Sequence, residues 1–106
     1  SNGKLIKTND LTNNMPFIYG DFINKEFFKL KKIIDKSKFN YKNIKNLYYF
    51  PSGRWDIEFY SGVLIKLPKN RLKDSINLSV NILSNKNFEK IKILDLRQKN
   101  RVITNG

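Results

Sequence analysis

Asp56 and Glu58 stand two residues apart in the run GRWDIEFYSGVLIKLP, Gly53 to Pro68. On an extended chain residues i and i+2 share a face, so both carboxyls would look the same way. Two carboxyls whose surroundings push their pKa values apart can divide general acid and general base roles. The same spacing is also what the polar side of a half-buried strand produces beside Lys and Arg. The catalytic reading gains no help elsewhere. Histidine is absent, so no side chain titrates near neutrality by its ordinary pKa and no serine has an imidazole to activate it. Cysteine is absent too, which removes thiolate chemistry, disulfides and nearly all zinc or iron sites. There is no glycine-rich loop of the kind that cradles phosphate. An enzyme is not expected, and neither is a cofactor or metal.

A second chemistry is nucleic-acid binding. Net charge is +12, and basic residues alternate with aromatics from Lys42 to Phe50 and at Arg54-Trp55, a combination that can hold phosphates and stack bases. A compositional cause competes with it. Lys, Asn and Ile are the commonest residues and alanine is missing, so the basicity is also what an AT-rich coding bias would produce. The acidic residues of the Trp55 strand also depart from the signature of a four-stranded RNA-binding sheet.

A third chemistry is main-chain recognition. Asp95 to Val102, DLRQKNRV, ends in a short strand close to the chain terminus. Such a strand can lie at a sheet edge, where free N–H and C=O groups accept a partner strand. Arg101 is compatible with that reading and equally with a charge that blunts the edge against aggregation.

The elements that would position these residues follow from periodicity. Trp55, Ile57 and Phe59 alternate with Asp56, Glu58 and Tyr60, and Ser61-Gly62 supplies a tight reversal before Val63, Ile65 and Leu67. That is a hairpin from Arg54 to Leu67. A strand from Ile44 to Phe50 precedes it, broken by Pro51-Ser52-Gly53. Ile23, Phe27, Leu30 and Ile34 recur at helical spacing and predict a helix over Lys25 to Lys38, with Asn24 as its N-cap. Pro68 opens a second helix over Lys69 to Leu83, its stripe being Leu72, Ile76, Val80 and Leu83. Ile91 to Arg97 and Arg101 to Thr104 read as two strands joined by Gln98-Lys99-Asn100. Near the start, Gly3 to Ile6 reads as a short strand, Thr8 to Pro16 as a loop, and Phe17 to Tyr19 as an apolar patch ended by Gly20. The order predicts an α+β fold: a mixed or antiparallel sheet with two helices packed on one side and the C-terminal strand at a sheet edge. With 106 residues and 40% apolar content the chain suits one domain, spanning 1–106. No run approaches the roughly 20 apolar residues of a membrane span. Ser1 in place of Met reads as a fragment of a longer protein.

Together these pieces resemble a known family. Met15-Pro16 through Gly20, Arg54-Trp55-Asp56, Gly62 to Pro68, Asp95-Leu96-Arg97 and Arg101-Val102 resemble the carboxy-terminal β domain of the FtsQ family, called DivIB in Gram-positive bacteria, in its alphaproteobacterial form. The resemblance implies a non-enzymatic cell-division scaffold at the periplasmic face of the inner membrane, at the septum. It implies anchoring through a membrane helix, followed by a POTRA domain, both absent or nearly so from this stretch. Implied partners are FtsB, with FtsL, and other divisome proteins, taken up by strand addition at the last strand, and not nucleic acid. The implied docking residues are Arg97, Gln98, Asn100, Arg101, Val102 and Thr104. Arg97 would pair with an acidic residue of FtsB, as a planar guanidinium offers a carboxylate two parallel donors. The alternative function is a nucleic-acid-binding module, with a small hydrolase far behind.

Overall fold

The computed structural model describes residues 15–85, 90–99 and 102–105. The strand expected over Gly3 to Ile6 lies outside the described residues. Six strands and two helices follow: β1 (Phe17–Tyr19), α1 (Asn24–Lys36), β2 (Ile44–Tyr49), β3 (Trp55–Phe59), β4 (Leu64–Lys66), α2 (Leu72–Leu83), β5 (Ile93–Asp95) and β6 (Ile103–Asn105). They form one mixed sheet in the order β1-β2-β3-β4-β5-β6. β1–α1–β2 and β4–α2–β5 are parallel crossovers, while β2-β3-β4 and β5-β6 are antiparallel. A parallel pair cannot be joined by a tight turn, and each helix supplies the return path.

Register lines up one row of side chains across the sheet. Ile18, Leu47, Ile57, Ile65 and Leu94 are successive partners, and all are 0% exposed. Thr104 ends the row opposite Leu94. Both helices cover this face, contributing Phe27, Leu30 and Ile34 from α1 and Leu72 and Ile76 from α2 to the same core. Trp55 joins it at 1% exposure, its ring 4.8 Å from Tyr49 and 5.9 Å from Phe22. The predicted inward set Trp55, Ile57 and Phe59 is therefore the buried side of β3. This placement also removes Trp55 from any base-stacking role.

The opposite face carries a polar row, Tyr19–Tyr48–Asp56–Lys66–Asp95–Ile103, again strand by strand. Tyr19 and Tyr48 stack with centroids 5.3 Å apart. The alternation of buried and half-exposed residues is what a sheet covered on one side requires.

Several boundaries differ from expectation for local reasons. Phe17–Tyr19 is a strand, held by parallel pairing with β2. Asn24 is the first residue of α1; the cap is Ile23, with no side-chain hydrogen bond. That helix ends early because the Ser37 N–H and Oγ both donate to Ile34 O. α2 begins at Leu72 because Arg71 takes a left-handed conformation, φ 61°, which a continuous helix from Lys69 could not contain. Its buried face is Leu72, Ser75, Ile76 and Ser79. Ser79 Oγ donates to Ser75 O at 2.8 Å, so a buried hydroxyl is satisfied within the helix. Val80 and Leu83 are only half-buried. Gly20 has φ 114°, and a Cβ there would lie 2.2 Å from Tyr49 O. Glycine is needed at that point to let the chain leave β1 against the end of β2.

Candidate functional site

β5 and β6 build the outermost part of the sheet. Leu94, 0% exposed, and Leu96, 3% exposed, anchor β5 in the core, and the Leu96 N–H donates to Lys66 O at 2.9 Å. These two anchors fix the intervening Asp95, and the following Arg97, on the other side. β6 pairs with β5 along one edge; along its other edge no strand lies among the described residues. Extended backbone with one unpaired edge presents main-chain donors and acceptors to solvent.

Arg97 follows β5 two residues after Asp95, with its side chain 45% exposed. Its Nε donates to Asp95 Oδ1 at 2.9 Å and its Nη2 to Oδ2 at 2.6 Å, while its backbone N–H also donates to Oδ1 at 3.0 Å. Arg97 holds the Asp95 carboxyl below the ordinary carboxylate range, chiefly through the side-chain hydrogen bonds. The guanidinium has five N–H donors and Asp95 occupies two, so three are available to a second acceptor.

The polar row behind the edge is electrostatically closed. Lys66 lies between Asp56 and Asp95 by register. Arg54 donates to Asp56 Oδ1 at 2.9 Å and to Leu67 O at 3.0 Å. Burial pushes the Asp56 pKa up, against the opposing pull of Arg54. Glu58 accepts from Asn46 Nδ2 and from Tyr48 Oη, each at 2.8 Å, and these bonds hold its pKa down. The two carboxyls of the would-be catalytic pair do have opposite shifts. Each is nonetheless engaged by a neighbouring side chain of its own, Asp56 by Arg54 and Glu58 by Asn46 and Tyr48, which is the bonding of a structural polar face.

The sequence-predicted docking residues divide as follows. Arg97 and Gln98 are exposed after β5, Val102 is exposed just before β6, and Thr104 is exposed within it. Asn100 and Arg101 lie outside the described residues. Two residues were missed. Ile103 is 41% exposed on β6 and continues the polar row beyond Asp95; strand parity around Thr104 carried that signal. Asp95 orients Arg97, and an Asp two residues before an Arg in a strand end was the available hint.

Among the described residues no group of acidic side chains is arranged to hold a metal. No helix among the described residues is long and apolar enough to cross a membrane.

Among the described residues, six strands in one mixed sheet, two helices over one face and a C-terminal strand at the sheet edge define an α+β domain. The chain belongs to the FtsQ/DivIB family of cell-division proteins: the family model "Cell division protein FtsQ/DivIB, C-terminal" matches residues 1–97. No curated protein matches the chain.

Proposed function

We propose that this domain is a non-enzymatic scaffold of the bacterial divisome that takes up FtsB, and FtsL with it, by adding a partner strand to β6. The observation that carries the reading is the outer edge of β6, which pairs with no strand among the described residues; β6 lies next to β5, whose end Arg97 and Asp95 close. Main-chain bonds along the edge supply affinity, and side chains on alternate faces supply selectivity. On the outer face an incoming strand would meet Ile103 and Asn105; on the helix-covered face it would meet Thr104. An acidic residue of FtsB would take the remaining donors of Arg97, and Gln98, Asn100, Arg101 and Val102 would line the approach. The partner segment orders as it binds, so a few anchors carry most of the energy.

In the full-length protein the domain would act at the septum, on the periplasmic face of the inner membrane, tethered by a membrane helix and preceded by a POTRA domain. Residues 1–106 would form one β domain of that longer chain.

Calorimetric titration of the chain with a periplasmic FtsB peptide from the same organism tests this reading, with a single-stranded oligonucleotide as competitor ligand. Strand addition predicts saturable peptide binding with modest salt dependence. Nucleic-acid affinity would instead fall by orders of magnitude with salt through counterion release. No peptide binding, together with tight and steeply salt-dependent oligonucleotide binding, would reject the scaffold reading.

A further inference from the structure

The outer face of α1 has an arrangement that β6 docking does not use. Lys25, Lys29, Lys32 and Lys36 follow the spacing i, i+4, i+7, i+11, which places them on one side of the helix. All four are exposed, and the buried Phe27, Leu30 and Ile34 define the opposite side. Ion pairs among the described residues are Lys31–Asp35, Arg54–Asp56 and Arg97–Asp95, so none of these four lysines has a carboxylate partner there. The basic surface continues into a groove of about 440 Å³ between α1 and the start of α2, lined by Lys29, Ile33, Lys69, Arg71, Lys73 and Asp74.

Two large apolar side chains are exposed on this helix and at its entry. Phe28 is 62% exposed and Ile23, at the helix entry, is 61% exposed, the highest exposures of any aliphatic or phenyl side chain described. Phe28 lies three residues after Lys25 and four before Lys32, on their side of the helix. The Phe28 ring touches the buried Phe27, centroids 5.5 Å apart, yet most of it faces solvent. A nucleic acid would use the Phe28 ring as a stacking platform but gains nothing from Ile23, whereas a bilayer takes up both side chains. Lysines flanking protruding apolar side chains match the headgroup boundary of a bilayer. There, cations meet anionic lipid and apolar groups enter the acyl edge.

We infer that the outer face of α1 is a docking surface for an anionic lipid membrane. Lys25, Lys29, Lys32 and Lys36 engage the headgroups, and Phe28 and Ile23 enter the interface. The contact leaves β6 on a different element, so membrane and partner strand do not compete for the same residues.

Vesicle flotation tests it, comparing phosphatidylcholine alone with phosphatidylcholine mixed with phosphatidylglycerol. The 106-residue chain should float with the phosphatidylglycerol vesicles and not with phosphatidylcholine. Replacing the four α1 lysines with Gln should weaken partitioning by about tenfold or more, since each lysine near an anionic surface contributes severalfold. Replacing Lys42, Lys45, Lys90 and Lys92 with Gln removes the same charge from exposed positions elsewhere and should change partitioning far less. Phe28→Trp adds a reporter beside the buried Trp55, and its emission should shift to the blue on vesicle addition. Equal losses from both lysine sets would overturn the assignment, as would binding to phosphatidylcholine alone or unshifted Phe28→Trp emission. Oligonucleotide binding tighter than vesicle binding, and lost with the same α1 lysines, would also overturn it, by making the face a nucleic-acid site. The tryptophan reporter retains the native lysines, so it decides the matter even if the fourfold variant does not fold.

Discussion

Arg97 and Asp95 form a two-pronged ion pair within one strand end, Nε to Oδ1 at 2.9 Å and Nη2 to Oδ2 at 2.6 Å, with the Arg97 backbone N–H closing on the same carboxylate. The pair fixes the guanidinium on the polar face at the end of β5 while leaving the side chain 45% exposed. Order of this kind lowers the conformational entropy lost when a partner carboxylate arrives.

The pair has a titration signature. Asp95 has a folded pKa below its unfolded value, so its contribution to stability is present at neutral pH and disappears as pH falls through the folded pKa. Arg97→Gln should raise the Asp95 pKa toward the ordinary carboxylate value, measurable by carboxyl carbon NMR. Because the pair is partly solvent-exposed, global stability should fall by no more than about 1 kcal/mol. An Asp95 pKa unmoved by the substitution would show that Arg97 does not hold the carboxylate in solution.

Asp56 behaves in the opposite sense. Burial raises its folded pKa, so its contribution to stability is present at low pH and is lost as pH rises through the folded pKa. Arg54→Gln removes the partner that offsets this burial. The variant should lose about 3 kcal/mol near neutrality, because a buried charge is left without its cation. The loss should shrink on acidification as Asp56 becomes protonated. Urea denaturation of both proteins across the acidic range measures it.

Gly20 and Gly62 separate steric from conformational cost. Both have positive φ, 114° and 98°. A Cβ at Gly20 would collide with Tyr49 O at 2.2 Å, whereas nothing lies within 4 Å of one at Gly62. Gly62→Ala should cost about 1 kcal/mol from backbone conformation alone, and Gly20→Ala clearly more. Equal unfolding midpoints would contradict the close approach of β1 to β2.

Ser75 and Ser79 are buried on the inner face of α2. Ser79 is 0% exposed. Ser79→Leu should destabilise by about 1–3 kcal/mol through overpacking. Ile57→Ala, at the centre of the buried row, should cost about 2–5 kcal/mol through the cavity it leaves. Thermal unfolding followed by circular dichroism reads both.

Helix α1 and the β3–β4 hairpin were legible because their signals are local. Phe27, Leu30 and Ile34 repeat at the helical period, and Trp55 to Phe59 alternates before a Ser-Gly turn. β1 was not legible as a strand. Three residues carry too little periodicity, and its stability comes from parallel pairing with β2, distant in sequence. The start of α2 was misplaced because Pro68 favours a helix entry, whereas the conformation of Arg71 interrupts it. Within the stretch, Arg97 is visible as part of Asp-Leu-Arg; strand parity around Thr104 marks Ile103 as facing the other way, but only the register with Asp95 shows that it continues the polar row. The parallel pairing of β4 with β5, which carries β6 to the edge, depends on the α2 crossover and has no local sequence mark.

Binding should depend on Arg97 more than on any other edge side chain. Arg97→Glu places a third like charge near Asp56 and Asp95, and it should abolish detectable FtsB-peptide binding with the circular dichroism spectrum unchanged. Unaltered affinity would remove Arg97 from the interface.

The central claim is that β6 is where the partner strand is added. Its most direct measurement is an amide NMR titration of the chain with the periplasmic FtsB peptide. The account predicts that the largest shifts, with new protection from exchange, fall on Arg97, Gln98 and Val102 to Asn105, while β1, β2 and α1 stay in place. Shifts confined to residues away from this edge, or none at saturating peptide, would contradict it.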